Sequence, residues 1–188
     1  MKIFLLSAGL VLAMSATASA NATFPNASIN NGLTAVQSPI QASLNECLST
    51  ESSSRAIRAC SEALRLTPVT EVRSALYVKR AFLNLSQDKM KAASRDFKYA
   101  HKLGASPDYL RLGEGYQALM KGDTTRAVSI FDDCSGDKKT TSMAVYGRAI
   151  AKEMLGDKTG AAADYKYASE LAPEWSAPSV EYQRIQGL

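Results

Sequence analysis

The feature that most constrains this chain is a set of small and aromatic residues that recurs every 34 positions. Each set holds a small residue, an aromatic four positions later and a second small residue three positions after that. It occurs three times, as Ala93, Phe97 and Ala100, then Ala127, Phe131 and Cys134, then Ala161, Tyr165 and Ala168. A fixed period of this length is typical of repeat proteins, in which each unit packs only against its neighbours.

Each unit also contains a third small residue, earlier in the sequence, and a turn that separates it from the set. The small residue comes twelve positions before each set, at Ala81, Gly115 and Ala149, and the turns fall at Gln87-Asp88, Gly122-Asp123 and Gly156-Asp157. Small residues let two helices approach closely, and an aromatic side chain fills the space between them. The spacing therefore predicts helix hairpins over residues 70–103, 107–133 and 140–171.

This pattern resembles the tetratricopeptide repeat, which has a Gly or Ala on its first helix and Ala, an aromatic, Ala and Pro on its second. Pro173 closes the last repeat, and Pro68 closes an earlier unit built on Ala56, Cys60 and Ala63. That earlier unit is separated from the next by three positions more than the regular period, so we expect a short extra piece of turn or helix at 69–73. Ala105 and Lys139 depart from the family pattern, since Pro is usual at both positions.

The resemblance covers roughly residues 40 to 175 and implies an all-α fold. It implies a right-handed superhelical solenoid of antiparallel helix hairpins, with about three to four repeats and a C-terminal capping helix. The predicted boundaries are a signal peptide at 1–20, a flexible N-terminal arm at 21–40, the repeat domain at 41–175 and the capping helix at 176–188. Asn, Ser and Thr, together with two prolines, are what favour flexibility in the arm.

The signal peptide is predicted from Lys2, an apolar run from Ile3 to Met14 and the small residues that end at Ala20. An uncleaved membrane anchor is the alternative, but the run is shorter than the ~20 residues that cross a bilayer. We therefore expect an exported protein, periplasmic or secreted, that is not inserted in a membrane after cleavage.

The charge of the chain is only weakly basic. The formal net charge is +4, and removal of the signal peptide takes away the single charge of Lys2. No run of five or six Lys or Arg residues interleaved with aromatics is present, so nucleic acid is not an expected partner.

Two of the three cysteines are spaced like residues that face each other across a hairpin. Cys47 precedes Cys60 by thirteen positions, which is also the separation of Asn84 from Phe97. A disulfide is therefore predicted, with two separate buried thiols as the alternative. Cys134 takes the place of a small residue and is expected to be a buried, inert thiol rather than a nucleophile.

Two pairs of opposite charges share one spacing. Arg80 precedes Asp96 by sixteen positions, and Arg148 precedes Asp164 by the same number. These pairs are predicted to join the two helices of a hairpin. A shared anion site is the alternative, but each acid would compete for its Arg.

No catalytic, cofactor or metal site is expected. A single histidine, His101, cannot supply a multi-histidine metal site, and no glycine-rich phosphate loop is present. The acidic side chains fit solvated helix faces better than an acid and base pair. The sequence therefore does not favour an enzyme.

The resemblance implies that the first helices line a concave groove in which partners bind. Counting by helical spacing from the small residues gives a mostly apolar set, in which only Glu153 is charged. The remaining twelve, called here the predicted groove set, are Val78, Phe82, Leu85, Tyr109, Leu112, Tyr116, Leu119, Met120, Met143, Tyr146, Ile150 and Met154. The alternative is that many of them are core between closely coiled repeats.

Two functions remain open from the sequence. The first is a protein interaction module or scaffold, outside the cytoplasm, that holds an apolar or helical segment of another protein. The second is a carrier or chaperone-like holder of a lipid or other small hydrophobe in the same groove.

Overall fold

The computed structural model describes residues 39–48, 54–134 and 136–187, and each regular element in them is an α-helix. The predicted signal peptide and all but the last two residues of the predicted arm lie outside the described residues. The nine helices of the described part are α1 (Pro39–Leu48), α2 (Ser54–Leu66), α3 (Thr70–Ser86), α4 (Met90–Lys102), α5 (Pro107–Met120), α6 (Thr124–Asp132), α7 (Lys138–Met154), α8 (Lys158–Leu171) and α9 (Ser176–Gln186).

The helices pack mainly with their sequence neighbours, in antiparallel pairs. The pairs are α1 with α2, α3 with α4, α5 with α6 and α7 with α8, and α9 packs on α8. The first helices also touch one another in chain order, α3 against α5 and α5 against α7. For the part of the chain that the structure describes, the prediction of an all-helical fold built from sequential hairpins is therefore confirmed.

The hairpin turns form where the sequence places Gly or Asp. Gly122 and Gly156 have φ angles of +80° and +87°, in the left-handed region that glycine adopts at little cost. Asp157 then caps α8, since its carboxylate accepts a hydrogen bond of 2.8 Å from the Gly160 amide. Asp137 caps α7 through the Thr140 amide, at 2.7 Å, which is why that helix begins two residues before the predicted 140.

The longer spacing between the first two hairpins has a local structural cause. Residues 67–69 connect α2 to α3, and α3 begins at Thr70 with an additional turn. Arg73 on that turn donates hydrogen bonds to the carbonyl oxygens of Leu64, at 2.6 Å, and Thr67, at 3.3 Å. The extra residues therefore tie the start of α3 to the end of α2.

The recurring aromatics pack against glycines of adjacent helices, both within a hairpin and in the next one. The Phe131 ring is 2 % exposed and lies against both Gly115 and Gly147, where a Cβ atom would come within 2.5 Å of a ring carbon. Phe97 is placed in the same way over Gly113. Edge-to-face contacts extend the packing, with ring centroids 5.2 Å apart for Phe82 and Phe97.

The first hairpin has its own small core and a disulfide. Cys47 on α1 and Cys60 on α2 are bonded, with an S–S distance of 2.03 Å, and both are fully buried beside Ala56 and Ala63. The predicted disulfide is confirmed. Closing a loop of this length stabilises a fold by roughly 3 kcal/mol in the chain-entropy model.

We predict that Gly115→Ala destabilises the protein, although Gly→Ala in an exposed helix normally stabilises it by about 1 kcal/mol. The added methyl group would overlap the buried Phe131 ring, and overpacking of this kind typically costs about 1 to 3 kcal/mol. Urea unfolding of the single variants and of Gly115→Ala with Phe131→Leu tests the cause. The double variant should recover part of the loss, and a Gly115→Ala protein at least as stable as the wild type would contradict the prediction.

Candidate interaction surface

Most of the predicted groove set lies in the protein core. Nine members are at most 7 % exposed: Val78, Phe82, Leu85, Leu112, Tyr116, Leu119, Met143, Tyr146 and Ile150. Tyr109 and Met120 are half-buried, and Met154 is 49 % exposed. The nine buried members have almost no surface to offer in this structure, which agrees with the alternative that many of the twelve are core between closely packed repeats.

The direct packing of consecutive first helices explains this burial. The Phe82 ring on α3 meets the Tyr116 ring on α5 edge to face, with centroids 6.3 Å apart. The Tyr116 hydroxyl donates a hydrogen bond of 2.7 Å to the Met143 carbonyl of α7. Three first helices thus share one core, and the side chains counted as groove-lining fill the space between them.

Near this surface Lys79 is buried and Lys139 is half-buried, which was not predicted from the sequence. Lys79, next to Val78 on α3, is only 5 % exposed. Burial, with a smaller contribution from the like charge of Lys139 on α7, lowers the pKa of Lys79 to about 8. Burial also lowers the pKa of Lys139, against the opposing effect of Asp137 and Glu174. Periodicity gives no signal for this, because Lys79 is outside the ladder of small and aromatic residues.

Tyr109 at the start of α5 belongs to the same region. Burial raises the pKa of its hydroxyl, and the charge of Asp137 raises it further, while a side-chain hydrogen bond with Thr140 lowers it. The Tyr109 side chain is half-buried and lies close to the charge of Asp137. Aromatic and charged side chains therefore share the edge of the first-helix surface between α5 and α7.

The two predicted ion pairs are present, and each arginine reaches a third helix as well. Arg80 binds both carboxylate oxygens of Asp96, at 2.9 and 2.6 Å, and its remaining nitrogen donates to Ser61 on α2. Arg148 binds Asp164 in the same way, at 2.8 and 2.7 Å. The arginines therefore join hairpins to each other, and their bonds leave little capacity for the alternative of an anion site.

The second partner of Arg148 is Asp132 on α6, at 2.6 Å, a contact that was not predicted from the sequence. The hydrogen bond to Asp164 contributes most to raising the pKa of the Arg148 guanidinium. Lys152 adds a further contact with Asp164, at 2.8 Å. A spacing of sixteen positions, which also separates Asp132 from Arg148, is the signal that would have found this contact.

The remaining chemical side chains fit structural roles. Cys134 is 7 % exposed, and burial raises the pKa of its thiol to about 11, so the reactive thiolate is scarce near neutral pH. His101 is exposed near the end of α4. Within residues 39–48, 54–134 and 136–187, no cluster of three or more His, Cys, Asp or Glu is arranged to hold a metal. Among the helices described, none has the length and apolarity to cross a membrane.

Comparison with known proteins assigns no family. No family model matches the chain, and no curated protein or solved structure does either. What is established is that the regular elements of the described residues are α-helices, which pack as sequential hairpins.

We predict that Tyr116→Ala lowers the free energy of unfolding by about 3 to 5 kcal/mol, because the side chain is fully buried and its loss leaves a cavity. Tyr116→Phe removes only the hydroxyl that binds the Met143 carbonyl and should cost about 1 kcal/mol. Denaturant unfolding measures both. A Tyr116→Ala protein as stable as Tyr116→Phe would show that the ring is not a core element.

We predict that Lys79→Met stabilises the protein more at pH 7 than at pH 10. The pKa of Lys79 is about 8 in the folded chain, below its ordinary value of 10.5, so the unfolded chain binds more protons between these values. The cost of burying the charge is thus complete below pH 8 and fades as the pH rises towards 10.5. The advantage of the variant should therefore shrink by an amount of order 2 kcal/mol, at about 1.4 kcal/mol per pKa unit.

The control for this experiment is Lys98→Met, which changes an exposed lysine on α4. Buried tyrosines such as Tyr146, whose pKa is raised chiefly by burial, reduce stability above pH 10, but they do so equally in all variants. Unfolding free energies at both pH values decide the outcome. An unchanged difference between wild type and Lys79→Met would refute the linkage.

Proposed function

We propose that this chain is an interaction module of the tetratricopeptide type, a superhelical solenoid that binds a segment of another protein along its first helices. The observation that supports it is one contact repeated between successive hairpins. Phe97 packs on Gly113, and Phe131 packs on Gly147, with both partners advanced by one full period of the sequence. Stacking by a repeated contact builds a continuous surface from separate segments, and proteins of this architecture use such surfaces for binding.

The half-buried and exposed members of the predicted groove set supply the binding side chains in this proposal. Met120 and Met154 occupy equivalent positions at the ends of α5 and α7, and Leu155, which is 52 % exposed, follows Met154. Met side chains are flexible and adapt to varied apolar partners. With Tyr109 at the other end of α5, they give the partner apolar contacts that span the length of that helix.

The interaction module is preferred over the lipid carrier because of how the apolar side chains are used. Phe82, Tyr116 and Tyr146 would have to enclose a small hydrophobe, yet each is at most 1 % exposed and packed against protein. A binding role is also preferred over an enzyme, since the arginines and acids at the hairpin junctions are engaged in structural ion pairs.

Export is part of the same proposal. The apolar run and small residues of 1–20 have the features of a signal peptide. The disulfide between Cys47 and Cys60 is of the kind that persists in oxidising compartments. We therefore place the working protein in the periplasm or outside the cell, with another protein as its partner.

A photo-crosslinking amino acid placed at Met154 or Met120 tests the function in the source cells. We expect adducts with a defined polypeptide, because these side chains lie on the proposed binding face. The control places the same amino acid at Tyr99, which is 51 % exposed on the second helix α4.

Three results would contradict the proposal. They are adducts of equal yield from Tyr99, crosslinks only to the chain's own residues 21–38, and the absence of any protein adduct. Native mass spectrometry of the same preparation adds a check, since a bound lipid without a polypeptide favours the carrier.

A further inference from the structure

A groove of about 480 Å³ lies between α8 and α9, away from the first-helix face proposed above. Its base is formed by Ala162, which is 8 % exposed, and by the half-buried Ile185. The half-buried Tyr182 lies on the α9 side. The exposed Lys158 and Lys166 stand on α8 at either end of a stretch of two turns. The groove thus combines an apolar base with cationic ends.

The groove lies at the junction between α8 and α9. At the equivalent junction earlier in the chain, between α4 and α5, a hydrogen bond joins the two helices. Ala162 lies two full periods after Ser94, and Ile185 lies two full periods after Gln117, so the two pairs occupy equivalent positions in the repeat. Ser94 on α4 donates a hydrogen bond of 2.5 Å to Gln117 on α5. Replacing these two polar side chains with Ala and Ile removes that bond and leaves an apolar base.

The ion pair found at the preceding junction, between α6 and α7, is also missing between α8 and α9. Arg148 on α7 binds Asp132 on α6 at 2.6 Å, and the residues one period later are Tyr182 and Lys166. A lysine therefore stands where the acid of the preceding junction stands, and the arginine is gone. The last junction therefore lacks the charge pair of its predecessor.

The lining of the groove is positively charged. None of its eight lining residues is acidic. The Lys166 ammonium is 3.9 Å from the Glu170 carboxylate, and both side chains are about 60 % exposed, so this pair contributes little. Glu153 and Glu181, the acids carried by α7 and α9 nearby, are both bound by Arg184. The groove is therefore complementary to a negatively charged occupant.

We propose that this groove binds an acidic amphipathic segment of a partner protein, with one apolar side chain over Ala162 and Ile185 and carboxylates at Lys158 and Lys166. The lysines are eight positions apart on one helix, which corresponds to roughly 12 Å. A helical segment with Glu, Leu and Glu at successive intervals of four positions has the matching spacing. The inference rests on the proposed function in taking a protein segment as the occupant, and it adds a second surface to it.

Titration of the purified, ¹⁵N-labelled exported chain with two capped helical peptides tests the proposal by NMR. One peptide carries Glu, Leu and Glu at that spacing, and the other carries Lys in place of both Glu. The acidic peptide should shift the amides of α8 and α9 around the groove saturably, and the basic peptide should not. Binding should weaken as salt is added, since ions screen exposed charges.

Variants separate the groove from general attraction between opposite charges. Lys158→Glu with Lys166→Glu should lower the affinity for the acidic peptide about ten-fold or more and create affinity for the basic one. The matched control, Lys91→Glu with Lys98→Glu, changes two exposed lysines on α4 and should leave the affinity within about two-fold. Helical circular dichroism of every variant confirms that the fold is intact.

The proposal is overturned if the acidic peptide causes no shift, if it shifts amides elsewhere, or if both double variants lose affinity equally. It is also overturned if dodecanoate saturates the groove while the peptide does not, since the occupant would then be a fatty acid. If Met154 crosslinks to a protein but the acidic peptide causes no shifts, the groove proposal is wrong and the proposed function stands. If the peptide binds the groove but Met154 gives no crosslinks, the groove proposal stands and the proposed binding along the first helices is wrong.

Discussion

The close contact between an aromatic ring and a residue without a side chain is the constraint on which the packing of the hairpins depends. Phe131 extends from α6 between Gly115 on the helix before it and Gly147 on the helix after it, so one ring sets the distance to both. No bulkier residue fits there without displacing the ring. Because consecutive hairpins meet through this contact, the ring fixes the distance between α5 and α7. The side chains of the core that these helices share pack within that distance.

The arginine contacts fix the orientation of the helices that the apolar packing brings together. Arg80 and Arg148 each hold the acid of their own hairpin with two hydrogen bonds and extend a third to the preceding hairpin. A bidentate bond to a nearly buried carboxylate fixes the orientation of the side chain more strictly than an apolar contact does. In the middle hairpin the equivalent residue is Glu114, which pairs with Arg126 instead. The middle hairpin is therefore held by Arg148 of the following hairpin, through Asp132, and by the aromatic rings.

The sequence predicts the hairpins, the disulfide and the two ion pairs because each depends on a fixed separation along the chain. Cys47 and Cys60 are recognisable from the same spacing that joins other facing positions. The predicted groove set is different, because its exposure does not depend on a separation along the chain. Periodicity identifies which side of α5 carries Tyr116, but the same side can face a partner or the next first helix. The choice depends on how closely successive hairpins stack, which is a property of side chains in three helices at once. For the same reason the burial of Lys79 left no trace in the pattern.

In a chain whose hairpins pack through one repeated contact, many residues are needed for packing. Few positions remain whose side chains can recognise a specific partner. Inside the array, residues at the junctions are committed to their neighbours, as Asp132 is to Arg148. At the last junction the equivalent residues are Lys166 and Tyr182, which do not form such an ion pair. These two positions can therefore vary without breaking an ion pair between hairpins. The first-helix face is limited in the same way, because the residues between α3, α5 and α7 serve the core. Side chains available to a partner are therefore concentrated at the hairpin ends and in the terminal groove, where the repeat places no demand on their chemistry.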